Sequence, residues 1–232
     1  MGDVTDDRSY VSAVVNSERT LTNEDVRDAE LERARHALAY LKKKLGNDAM
    51  RELLADDVDL MKRRVRDWVA ASNGQWRTGS VELFLEGPRS QPFHDWYVRA
   101  MAQARETELR AGHPEHFVSH PTAGTIEVFE NIGETELPWR VFYRPVADDA
   151  DYPAAWDQDY PVRFGAEIVD ADGARVGFTM HESRDVGRGM RLRLSSFLPA
   201  ASPPELLRRH LDHFAIEFRN WTRFAWLESL KH

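Results

Sequence analysis

Hydrophobic residues in this chain follow two periods, helical over the first half and alternating over most of the second. From Thr22 to Leu45 the apolar spacing is near 3.6, and the pattern stops at Gly46-Asn47. Thr22-Asn-Glu-Asp25 has the form of a capping box, with Leu21 and Val26 placed as a hydrophobic staple. Helical pattern resumes from about Asp48 to Ala71 and ends at Ser72-Asn73-Gly74. A third helix is predicted from about Phe93 to Ala111, opening on Phe93, Trp96 and Tyr97 and closed by Gly112 before Pro114. Between these, Val81-Glu-Leu-Phe-Leu85 reads either as a short strand or as a turn of helix. The first 20 residues are polar and read as a loose arm.

Beyond Phe117 the period is 2. Ile126, Val128, Glu130 and Ile132 share one face of a strand, and Thr125, Glu127 and Asn131 share the other. Leu137, Trp139, Val141 and Tyr143 mark the next strand, before a loop rich in Asp and Pro from about Val146 to Tyr160. Val162, Phe164, Ala166 and Ile168 alternate inward, and Asp170-Ala-Asp-Gly173 is a hairpin turn. Val176, Phe178 and Met180 follow, which puts His181 on the opposite face unless a bulge intervenes. Gly187 to Gly189 then turns into Met190, Leu192 and Leu194. At Ser202-Pro203-Pro204-Glu205 an N-cap, a proline at N1 and a glutamate at N3 launch a long amphipathic helix. Its stripe of Leu207, Leu211, Phe214, Phe218 and Ala225 must lie on the sheet.

Four or five antiparallel strands followed by one long helix predict an α+β chain. The order looks like the helix-grip architecture of START and Bet v 1-like proteins, with added N-terminal helices. The expected division is an arm and helical segment over 1–90 and a helix-grip domain over 91–232.

Composition narrows the chemistry. Of 232 residues, 31 are Lys or Arg and 39 Asp or Glu, a formal net charge of −8 that argues against nucleic acid as partner. With no cysteine, disulfides, thiolate nucleophiles and Cys-type zinc sites are excluded. The N-terminal residues lack the pattern of a signal peptide, and no apolar run is long enough to span a bilayer. A cytoplasmic protein with no membrane partner is the expectation.

Three features carry candidate chemistry. His213 and Glu217, four residues apart on the last helix, stand on one helical face near its apolar stripe. They either pair with each other or an arginine, or ligate a metal such as zinc. Glu130 sits in an apolar row, pointing either into the core or to water where its strand ends near Gly133. His113 and His116 lie at a helix-to-strand junction, either solvated or, for His116, entering the same cavity. Two histidines and two glutamates would suit zinc, and manganese or iron would tolerate them.

The order of these segments resembles the 2,4-diacetylphloroglucinol and phloretin hydrolase family. The resemblance rests on His113-Pro-Glu-His116 after an aromatic-started helix, Glu130-Asn-Ile-Gly133, the strand from Gly189 to Leu198 with its Gly-x-x-x-Arg-x-x-x-Phe-Leu spacing, and His213-x-x-x-Glu217. It covers roughly residues 93 to 225. It implies a Bet v 1-like cavity, zinc held by His116, Glu130, His213 and Glu217 with His113 as substitute for His116, and hydrolysis of the carbon–carbon bond between an acyl group and a phenolic ring. It makes His181 similar in place to a substrate-contacting histidine and a candidate general acid. The implied partner is an aromatic, hydrophobic small molecule. The chain departs from the family in having Gly112 before His-Pro and a shorter stretch from His113 to Glu130. The competing expectation is a metal-free helix-grip protein that binds a hydrophobic ligand, or a polyketide cyclase-like enzyme acting by shape. The helices from Thr22 to Ala71, with Lys42-Lys-Lys44 and Arg63-Arg64, could cap the cavity or make a homodimer contact.

Overall fold

The computed structural model describes residues 14–15, 20–122, 124–133, 135–146 and 149–231. The chain divides into two compact units, Met1–Gly46 and Asn47–His232. In the first, β1 (Val14–Val15) and β2 (Thr20–Leu21) pair antiparallel and lead into α1 (Asn23–Leu53). The capping box forms: the Thr22 amide donates to Asp25 Oδ2 at 2.8 Å, and the Asp25 amide donates to Thr22 Oγ1 at 3.1 Å. Gly46 breaks helical geometry with φ 71° and ψ 175°, a backbone that favours glycine. Most of the expected N-terminal arm lies outside the described residues.

The second unit continues with α2 (Ala55–Ala71), β3 (Trp76–Glu86), α3 (Ser90–Ala102), α4 (Glu106–Arg110), β4 (His116–Thr122), β5 (Thr125–Glu130) and β6 (Trp139–Arg144). It is completed by β7 (Val162–Val169), β8 (Arg175–Val186), β9 (Gly189–Pro199) and α5 (Pro204–Ser229). Seven strands form one antiparallel sheet in the order β3-β9-β8-β7-β6-β5-β4. With the long C-terminal helix gripped by this sheet, the chain has the α+β helix-grip architecture. Leu206, Leu207, Phe214, Phe218, Trp221 and Ala225 are the buried face of α5. Burial stabilises each large apolar side chain among them by about 1.5–3 kcal/mol. Gly79 of β3 admits this helix, since a Cβ there would stand 3.1–3.2 Å from Leu211 and Leu207.

Several expectations are corrected. Val81 to Leu85 belongs to an 11-residue strand paired along its length with β9, from Trp76↔Pro199 to Glu86↔Gly189. The predicted helix from Phe93 to Ala111 is two helices, because Ala104 takes a left-handed φ of 50° between α3 and α4. A second helix break, at Leu54, carries no glycine or proline to mark it. The last helix starts one residue later than predicted, with Pro203 as its N-cap and no side-chain cap bond from Ser202.

The faces of β8 are inverted relative to its hydrophobicity. Phe164, His181 and Leu194 stand opposite one another across β7, β8 and β9, and all turn inward. Phe178 and Met180 point to the other side, where they cluster with Phe197, Trp76, Tyr152 and Trp156. Both faces of β8 are dry, so its apolar row does not identify the core side.

Candidate metal centre

His116 opens β4 and Glu130 closes β5, and the two are register partners, so their side chains leave the same face of the sheet. His213 and Glu217 descend from α5 onto that face. All four are buried: His116 is 2% exposed, Glu130 3%, His213 3% and Glu217 7%. Glu130 thus points into the interior, not to water at a strand end.

Their donor atoms converge. His116 Nε2 is 3.0 Å from His213 Nε2, and each is 3.3 Å from the same oxygen, Glu130 Oε2. Glu217 Oε1 is 3.7 Å from His116 Nε2, and its Oε2 is 4.0 Å from His213 Nε2. Zinc bonds of 2.0–2.1 Å place the donors of a tetrahedron about 3.3–3.4 Å apart. The His116–Glu130–His213 triangle matches that edge, and Glu217 stands slightly outside it.

Protonation favours a ligand set. The His116 Nδ1 lies 3.3 Å from the carbonyl of Leu109, which can only accept, so Nδ1 carries the proton. Burial lowers the pKa of His116. For Glu130, burial raises the pKa, but hydrogen bonds and charge from His116 and His213 prevail and hold it well below the usual range. Burial, and then the charge of Glu130, push the Glu217 carboxyl well above it. Two buried carboxylates beside two imidazoles hold excess lone pairs, and one shared proton satisfies one contact only. The residues fit a divalent ion. Tyr143 donates to Glu130 Oε1 at 2.6 Å, turning Oε2 toward the histidines, as outer partners of metal ligands do.

His113 stands beside this set. It, Glu115 and His213 also bring donor atoms within 4.8 Å of one another. But His113 and His213 stack face to face, 3.7 Å between centroids at 19°. Stacked rings aim their in-plane lone pairs alongside each other, not at one point. His113 Nδ1 already accepts the Glu115 amide at 3.2 Å.

His116, Glu130 and Glu217 of this cluster line a cavity of about 610 Å³. Tyr97, Phe164, Phe214, Phe218 and Trp221 supply aromatic wall, and Ser119, Thr179 and His181 add polar groups. The only charged side chains in the lining are Glu130 and Glu217; no lysine or arginine is among its described residues. His181 is buried between Phe164, Phe214 and Phe218, with ring centroids 5.2, 5.2 and 4.7 Å away. Burial, then the nearby His210, lowers its pKa to about 3. It is a neutral imidazole at pH 7, and its Nδ1 has no hydrogen-bond partner within the described residues.

Sequence reasoning missed two polar side chains. Tyr143 shares its row with Trp139 and Val141 and so reads as packing; the register across β5 and β6 brings it to Glu130. His210, fully buried and 3.0 Å from Ser196 Oγ through Nδ1, lies one turn before His213 on α5. Its helical spacing to His213 was the available signal.

No helix among the described residues is long and apolar enough to cross a membrane. No protein-family model and no curated protein matches the sequence. Similar solved structures include an uncharacterized protein from Rhizobium leguminosarum, 13% identical over 65% of this chain and 95% of that one, with a TM-score of 0.38. Protein Ms6760 from Mycobacterium smegmatis is 16% identical over 68% of this chain and 98% of that one, with a TM-score of 0.39. Norcoclaurine synthase from Thalictrum flavum, solved in complex with dopamine and hydroxybenzaldehyde, is 10% identical over 70% of this chain and 92% of that one, with a TM-score of 0.39. Likeness at this level names no activity for the chain.

Proposed function

We propose that this protein is a metal-dependent hydrolase that cleaves the carbon–carbon bond between an acyl group and a phenolic ring, as the 2,4-diacetylphloroglucinol and phloretin hydrolases do. The observation that carries the reading is the approach of His116, Glu130, His213 and Glu217 to one another beside an aromatic-walled cavity that His116, Glu130 and Glu217 line. These four residues would hold the ion, with zinc favoured by the tetrahedral spacing and manganese or iron compatible with the ligand types. When bound, such an ion polarises a carbonyl and lowers the pKa of water to about 7.

The chain's own residues do the rest. Tyr97, Phe164 and Phe218 pack against a flat ring and exclude water. Among the described lining residues no lysine or arginine stands ready to pair with a charged group away from the ion, which favours ligands whose distal part is uncharged. One water is consumed: the acyl carbon gains the hydroxyl, and the ring leaves with the bonding electron pair and takes a proton at carbon. His181 is the ring-side group that holds a movable proton. Being neutral at pH 7, it must take that proton from the substrate or water before returning it to the ring carbon.

The test uses full-length protein purified without a chelating tag. Zinc near one per chain by elemental analysis, and release of the carboxylic acid and the deacylated phenol in equal amounts from an acylphenol, are expected. A metal-free protein that binds aromatic ligands without turnover would instead establish the alternative, a helix-grip carrier or cyclase-like protein. The large apolar share of the cavity wall favours that second reading.

A further inference from the structure

We infer that Asn220 and Trp221 are positioning residues for the metal ligand His116, so that α5 supplies two ligands itself and fixes a third through the backbone. This deepens the metal-binding reading and rests on it. Asn220 and Trp221 follow Glu217 by one helical turn and so extend the face that carries His213 and Glu217. Asn220 is buried, and its Nδ2 donates to the carbonyl of Gly112 at 2.8 Å. Trp221 Nε1 donates to the carbonyls of Leu109 at 3.2 Å and Glu108 at 3.3 Å. The Leu109 carbonyl is the same one that meets His116 Nδ1.

The end of α4 and the start of the turn before β4 are therefore both tied to α5. The acceptor that sets the ring orientation and tautomer of His116 is located by the indole of Trp221. Gly112 completes the device. Its φ is not positive, and a Cβ there would collide with the Trp221 indole, so this glycine provides room, not backbone freedom. Outer partners that hold a ligating histidine in one tautomer typically matter about 10–100-fold in metal affinity.

The test compares full-length wild type with Asn220→Ala and with Trp221→Phe, which removes the N–H and keeps the bulk. Cobalt(II) titration reads affinity, and the visible absorption of bound cobalt reads the coordination geometry. Both variants are expected to bind cobalt about 10–100-fold more weakly, with an altered tetrahedral spectrum. In metal-free protein, ¹⁵N imidazole spectra should show His116 as the Nδ1–H tautomer in wild type and as a mixture in Trp221→Phe. Folded variants with wild-type affinity, spectrum and tautomer would overturn the positioning role and leave the metal site standing. Wild type that takes up no cobalt would overturn the metal reading and this inference together. Should a variant fail to fold, wild type decides: an Nε2–H tautomer at His116 would overturn the inference, and an Nδ1–H tautomer would support it.

Discussion

The two faces of the sheet treat their carboxylates in opposite ways. On the outer face Glu127 lies between Arg51 at 2.6 Å and Arg140 at 2.7 Å, and Glu167 lies between Arg144 at 2.7 Å and Arg175 at 3.0 Å. Glu82 is bound by Arg191 and, at 3.0 Å, by Arg193. On the inner face Glu130 and Glu217 are buried as well, yet the described residues place only imidazoles in ion-pairing reach of them. A carboxylate that serves the fold is given a guanidinium, which is charged at any working pH. The inner pair is given ligands whose charge is adjustable. That arrangement suits an ion that arrives after folding.

The largest effect should come from removing an inner ligand. His213→Ala should lower bound metal from about one ion per chain to almost none by elemental analysis; a variant that keeps stoichiometric metal would remove His213 from the ligand set. Next, His181→Phe should leave metal content unchanged while lowering turnover about 10²–10⁴-fold, the usual range for a proton-transfer group. Tyr143→Phe frees Glu130 Oε1 and should weaken metal binding by about 10–100-fold, read by competition with a chelator.

The metal-free protein should show the contrast as opposite pH signs. Glu82 and Glu167 have lowered pKa values, for which burial works against the hydrogen bonds of their arginines in Glu167 and the Arg191 hydrogen bond leads in Glu82. Their contribution is present above the unfolded value near 4.5 and is lost as pH falls through the lower folded value. Glu217 is raised, so its destabilising effect is absent below 4.5 and grows as pH rises toward its folded value. Glu217→Gln should therefore raise the thermal midpoint of metal-free protein at pH 7 to 8, by about 1–3 kcal/mol of stability, and metal should erase the difference. The smallest effect belongs to the outer face. Arg140→Met leaves Glu127 paired with Arg51 and should cost about 0.2–1 kcal/mol in a denaturant melt.

How much of this was legible depends on which residues carried the signal. Glu130 was visible because a carboxylate interrupts the row of Ile126 and Val128, and the pair His213/Glu217 because four residues make one helical turn. The capping box at Thr22 and the glycine break at Gly46 were likewise written locally. The inward face of His181 was not, since apolar residues occupy the outer row of β8 under Tyr152 and Trp156. Nor was the role of Tyr143, whose neighbours in the row are packing residues, or the break at Ala104, where an ordinary residue adopts a left-handed backbone.

By itself the sequence determined most of the element types, the α+β order, the absence of thiol chemistry and a short set of misplaced polar side chains. These follow from periodicity and from the cost of burying charge, both of which act over a few residues. The tertiary structure alone decided that strand ends and a helix bring His116, Glu130 and His213 together with Glu217 beside them, that His113 stacks on His213, and that β8 turns its histidine to the cavity. Strand register and helix docking are set by contacts between segments some 80 to 100 positions apart, such as Glu130 and His213, and no local pattern records them.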